Sequence, residues 1–145
     1  MEAVVWLSVP GNAPDDADPW AQLRASAALG ESQGMALPAM LYALAAYGRS
    51  DVAREREAIE TVARIHNRYQ PSSFAEPADK DGAEKTAARY RLLNEIAYNE
   101  ALYSSDRLWI DATGHRTPLM ALGRFPGARS ETNDDADFDA GRYLN

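Results

Sequence analysis

Cysteine is absent from the 145 residues. Its absence excludes disulfides, thiolate nucleophiles, iron–sulfur clusters and cysteine-ligated zinc, and it fits a reducing compartment. Lysine is almost absent as well. Lys80 and Lys85 are the only two, so arginine carries nearly all the positive charge. No apolar run approaches the roughly 20 residues that a membrane span needs. The opening MEAVVWLSVPGN begins with an acid and holds only a short apolar core, unlike a signal peptide. The expected location is the cytoplasm, with no membrane contact.

Motifs are missing too. Gly-x-x-x-x-Gly-Lys, Gly-x-Gly-x-x-Gly, Gly-x-Ser-x-Gly and His-Glu-x-x-His do not occur. Neither histidine has a glutamate three positions before it, so the Glu-x-x-His pairs of di-iron bundles are absent. No metal and no cofactor is expected. Broad basic character is also lacking. The net charge is −7, and five of the 22 acids lie in residues 131–139, ETNDDADFD, without a base. The rest of the chain is nearly neutral, which argues against direct nucleic-acid binding.

What is present is a hydrophobic fraction of 46%, enough for one packed domain at this length. The expected organisation is a single globular domain over 1–129 and an acidic tail over 130–145. AVVWLSV (3–9), closed by Pro10-Gly11-Asn12, reads as a buried strand. Asp18-Pro19 starts a helix, since aspartate caps free N–H groups and proline suits the first helical position. Trp20, Leu23 and Ala27 share its apolar face, and Gly30 or Gly34 ends it.

MALPAMLYALAAYG (35–48) is apolar nearly all round, which predicts a helix buried on every side, with Leu41 and Leu44 in the core. Ser50 caps the next helix and Asp51 favours its positive end. Residues 51–69 place Val52, Ile59, Val62, Ile65, His66 and Tyr69 at helical spacing, with Arg54, Glu55, Arg56, Glu57, Glu60 and Arg64 on the solvated side. The two helices, joined by about three residues, make an antiparallel αα-hairpin. QPSSFAEPADKDG is a loop. Residues 83–104 form the longest helix, whose apolar face holds Tyr90, Leu93, Ile96, Ala97 and Tyr103. LWIDATGHRTPL (108–119) reads as a β-hairpin turning at Ala112-Thr113-Gly114, with MALGRF extending its second arm to about 125. The fold expected is mainly α, of α+β type: a four-helix core, an αα-hairpin and a small antiparallel β element from 3–9 and 108–125.

Four residues could carry acid–base chemistry. Glu100 falls on the apolar face of the longest helix, where a carboxylate needs a partner or a raised pKa. His115 and Asp111 lie in the turn, and loops favour site residues. His66 borders an apolar face, where a histidine is more often packed than reactive. Together they support one function class, a small hydrolase or lyase with Glu100 and His115 as acid and base, backed by His66 or Asp111.

The favoured class is different: a non-enzymatic interaction protein, such as an inhibitor, an immunity protein, or an accessory or assembly adaptor of a phage or mobile element. Asp134, Asp135, Asp137 and Asp139 could meet a basic surface on a partner protein, with Phe138 and Tyr143 as apolar anchors. Self-association through the apolar helix at 36–47 is a third expectation, giving a homo-oligomer.

Overall fold

A computed structural model describes residues 2–9, 11, 13–69 and 82–127, with the backbone alone at 69 and 82–88. The described residues form five helices and no strand: α1 (Glu2–Ser8), α2 (Pro19–Ser32), α3 (Leu37–Gly48), α4 (Val52–Tyr69) and α5 (Gly82–Thr113). The expected β element is therefore absent among them, and the fold there is all-α with five helices. The expected acidic tail at 130–145 lies outside the described residues.

Two β readings fail for separate reasons. The N-terminal run AVVWLS is short enough that period alone cannot separate a buried strand from a helix. It becomes α1 because Ala3, Val4 and Leu7 meet the core from one helical face, and no strand among the described residues offers it a ladder. The run LWIDAT simply continues α5, since nothing before Gly114 stops a helix. Gly114 does adopt the left-handed conformation (φ +77°). It uses it to end α5, donating its N–H to the Ile110 carbonyl at 2.9 Å.

α2 starts as its sequence dictates, with Asp18 accepting the Ala21 N–H at 3.0 Å. Gly30 lies inside it, and Gly34 follows its end in a Schellman turn: Met35 N–H reaches the Gly30 carbonyl at 2.8 Å and Gly34 N–H the Glu31 carbonyl at 3.2 Å. α3 ends in the same turn, with Ser50 left-handed at φ +56°. Ser50 N–H meets the Tyr47 carbonyl and Asp51 N–H the Ala46 carbonyl, both at 2.9 Å. Ser50 thus closes α3, and Asp51 is the residue that caps α4, accepting the Arg54 N–H at 3.1 Å.

α3 packs chiefly on α4 and α2, and α5 lies across α4 and α3. Tyr42 meets Glu57 across the α3–α4 pair, as an αα-hairpin requires. The core joins Met40, Tyr42 and Ala43 of α3 to Ile59, Val62 and Ile65 of α4, with Leu23, Ala27, Ala97, Ala101 and Leu108. α3 is not swallowed on every side: Leu44 is 43% exposed and Tyr47 half exposed. α1, α2, α4 and α5 all meet α3, yet they leave its Leu44–Tyr47 side outside.

Asn94 fastens α5 to the α2–α3 turn. Its Oδ1 accepts the Ala36 N–H at 2.8 Å and its Nδ2 donates to the Gly34 carbonyl at 2.9 Å. Past Gly114 the chain doubles back along α5. Thr117 donates its hydroxyl to Ser105 Oγ at 2.9 Å and its N–H to Asp106 Oδ1 at 3.0 Å. Trp109 Nε1 donates to the Arg124 carbonyl at 2.9 Å, and Phe125 is buried beneath the Arg56 guanidinium.

Candidate interaction surface

Several charged side chains are settled by pairing. Arg24 grips Glu57 through Nε and Nη2 at 3.1 and 3.2 Å, and Tyr42 donates its hydroxyl to the same carboxylate at 3.1 Å. Arg64 grips Glu31 the same way, at 2.9 and 3.2 Å. That bond holds the Glu31 carboxyl below its ordinary value despite some burial. Arg54 pairs with Asp51 and lies over the Trp20 ring at 4.8 Å. Exposed pairs of this kind add little stability each, but they fix how α2 and α4 meet.

One pair is different. Glu55 is 2% exposed, although its place in AREREAIE reads as solvated. Arg107 of α5 pairs with it, and the Arg107 guanidinium lies 3.5 Å from the Tyr47 ring centre. Burial pushes the Glu55 carboxyl above its ordinary value, and Arg107 opposes that rise. The pair joins α4 to α5 as a latch, with Glu55 shut away from the two best-defined surface depressions and Arg107 on the wall of one of them.

The four acid–base candidates are not gathered. Glu100 is exposed on the outer side of α5 rather than set among apolar neighbours. Asp111 is exposed on the same helix, eleven residues on and so roughly 16 Å away. His115 is exposed in the turn after α5. His66 sits half-buried between α4 and α5, stacked on Tyr98 with ring centres 3.7 Å apart, and burial lowers its pKa against the opposing charge of Glu95. No hydrogen bond or ion pair joins any two of the four among the described residues. Nor do described histidines and acids form a group able to hold a metal ion there. Asp134, Asp135, Asp137, Phe138, Asp139 and Tyr143 lie outside the described residues.

The apolar face expected on α5 is only partly the buried one: Ala97 is buried and Tyr90 and Leu93 are half-buried, whereas Ile96 and Tyr103 face outward. Residues with small side chains, Ala97, Ala101, Ser104 and Ser105, are the ones buried against α3 and α4, together with Asn94 and Leu108. Close helix approach needs small side chains there, so the larger ones are turned outward. Leu92 is 72% exposed, Ile96 47%, Tyr103 73% and Ile110 46%. At 100° per residue these four fall within a narrow stripe opposite the buried face. The exposed positions were legible as a heptad: 96, 103 and 110 are seven apart, and 92 is four before 96.

On this stripe lies a shallow depression of about 260 Å³ lined by Tyr103, Asp106, Arg107, Ile110 and Arg116. The other, about 310 Å³, is lined by Glu31, Arg64, Ile65, Asn67 and Arg68. The Glu31–Arg64 ion pair engages two of the three charged groups on its wall, Arg68 being the third. Among the described residues no helix is long and apolar enough to cross a membrane. No family model matches the chain, and neither a curated protein nor a solved structure is similar to it.

Proposed function

We propose that the chain is a non-enzymatic protein-interaction module, of the inhibitor, immunity or accessory-adaptor kind, working in the cytoplasm. The observation that carries the reading is the outward stripe of Leu92, Ile96, Tyr103 and Ile110 on α5. Contiguous apolar surface rimmed by charge marks contact sites on proteins, and exposed aromatics are favoured anchors in them. General acid–base chemistry needs its groups within hydrogen-bond reach of one reacting centre, whereas Glu100, Asp111 and His115 each stand alone in solvent. The acids of 131–139 add a second contact element by charge, suited to a basic partner surface.

The test is quantitative capture from the native host with three baits: the unaltered chain, the chain lacking 130–145, and the Ile96→Lys, Tyr103→Lys double variant. Circular dichroism checks that each bait is folded. A host protein retained by the first bait and lost with either altered one is the expected result. Retention indifferent to both changes, or nothing retained in stoichiometric amount, overturns the reading.

A further inference from the structure

We propose that the outer face of α5 docks a second copy of this chain, the two α5 helices pairing antiparallel about a two-fold axis close to residue 101. The proposal rests on reading that face as a contact surface, and names what covers it.

The spacing comes first. Leu92, Ile96, Tyr103 and Ile110 fall on a and d positions of a heptad, the pattern that seats one helix along another, with Asn99 and Asp106 as the polar positions of the same seam. The shallow depression supplies the complementary half. Its helical walls, Tyr103, Asp106, Arg107 and Ile110, stand at i, i+3, i+4 and i+7, the quartet that forms a hole for one knob of a facing helix. Seating Ile96 of the second copy in that hole fixes the register. By symmetry, Ile96 of the first copy enters the same hole on the second. The same register lays Leu92 of one chain against Ile110 of the other, at both ends of the seam. Each large exposed side chain of the stripe thus meets an apolar neighbour or fills a hole, with none left over.

Charge decides the direction. The first described turns of α5 carry Arg89 and Arg91; the later ones carry Glu95, Glu100, Asp106 and Asp111, and the base among them, Arg107, is already paired with Glu55. A parallel pair would set base beside base and acid beside acid. An antiparallel pair sets the basic end of each helix against the acidic end of the other, with Arg89 flanking Asp111 of the second copy. The helix dipoles then oppose as well. Such an arrangement is isologous and closes at two chains.

The test uses the full chain. Sedimentation over a wide concentration range should show a species of twice the 15.9 kDa chain mass. Tyr103→Arg or Ile96→Asp should abolish it while leaving helicity intact, because both side chains are exposed. Arg89→Asp should weaken the pair, and adding Asp111→Arg should restore it. Direction is read by cysteine trapping, which the absence of native cysteine makes clean. Leu92→Cys protein mixed with Ile110→Cys protein should give mainly the mixed disulfide on mild oxidation. Prevailing like-with-like disulfides, a dimer indifferent to Tyr103→Arg, or a 15.9 kDa species at every concentration would each overturn the proposal. If the chain stays monomeric alone while stripe variants still lose a captured host protein, the second copy is wrong and the interaction reading stands.

Discussion

Replacing Asn94 by alanine should cost the fold about 3 kcal/mol, several times the cost of the same change at Asn99. Asn94 is 8% exposed and makes two hydrogen bonds, to the N–H of Ala36 and the carbonyl of Gly34. A net hydrogen bond is worth about 1 kcal/mol, and a buried group left unpaired costs about 1–3 kcal/mol. Ala36 is 1% exposed, so water cannot easily replace the lost acceptor. Asn99 is exposed, and its Nδ2 donates only to the Glu95 carbonyl of its own helix at 2.9 Å. Its alanine variant should fall within about 0.5 kcal/mol of the parent. For a domain of this size the Asn94 variant should melt lower by roughly 6–12 °C.

A third variant sharpens the test. Asn94→Asp keeps an oxygen for the Ala36 N–H but turns a second oxygen toward the Gly34 carbonyl. Protonation of that oxygen restores a donor, so this variant should recover stability in acid relative to the parent. Urea denaturation followed by circular dichroism measures all three. Equal stability of the Asn94 and Asn99 alanine variants would refute the idea that the α2–α3 turn is held by one side chain.

Further outcomes are expected elsewhere. Gly30→Ala should destabilise despite the better helix propensity of alanine, because its Cβ would stand 2.6 Å from the Met35 carbonyl oxygen. Gly48→Ala, with nothing within 4 Å of the new Cβ, should stabilise by about 0.5–1 kcal/mol; thermal melts that rank the two the other way would contradict this packing. Burial raises the Glu55 carboxyl above its ordinary value, so its contribution is fully present below the ordinary carboxylate range and is lost as pH rises through the raised value. Urea titrations should therefore show the parent losing stability relative to Glu55→Gln over that rise. His66 shifts the opposite way for a base: burial lowers its pKa, so stability is fully present above the ordinary histidine value of 6.5 and falls as pH drops through the lowered one. NMR titration should find His66 changing charge below that ordinary value, and a midpoint at or above it would count against its packing on Tyr98.

Local signals were readable where one residue acts on its own turn. Asp18 and Pro19 start α2 by satisfying groups within three residues, and no distant part of the chain is needed to see it. Ile59, Val62 and Ile65 repeat on α4 with charge opposite, and they are buried together. His66 looked more like a packed residue than a reactive one, and it is stacked on an aromatic ring. Glu55 was unreadable, because its burial depends on Arg107, far along the chain. The strand reading of 3–9 failed for a related reason, since β-propensity acts only where a partner strand exists.

The candidate surface divides the same way. Residue order alone determined the heptad of large side chains on α5, the small residues between them, the cap at Asp18 and the left-handed turn at Gly114. Which stripe of α5 faces inward was decided only by tertiary packing. Both stripes are apolar enough to be buried, and hydrophobicity by itself would favour the larger. Close contact with α3 and α4 selected the small stripe instead, because interior packing density leaves no room for Ile96 and Tyr103 between helices that near.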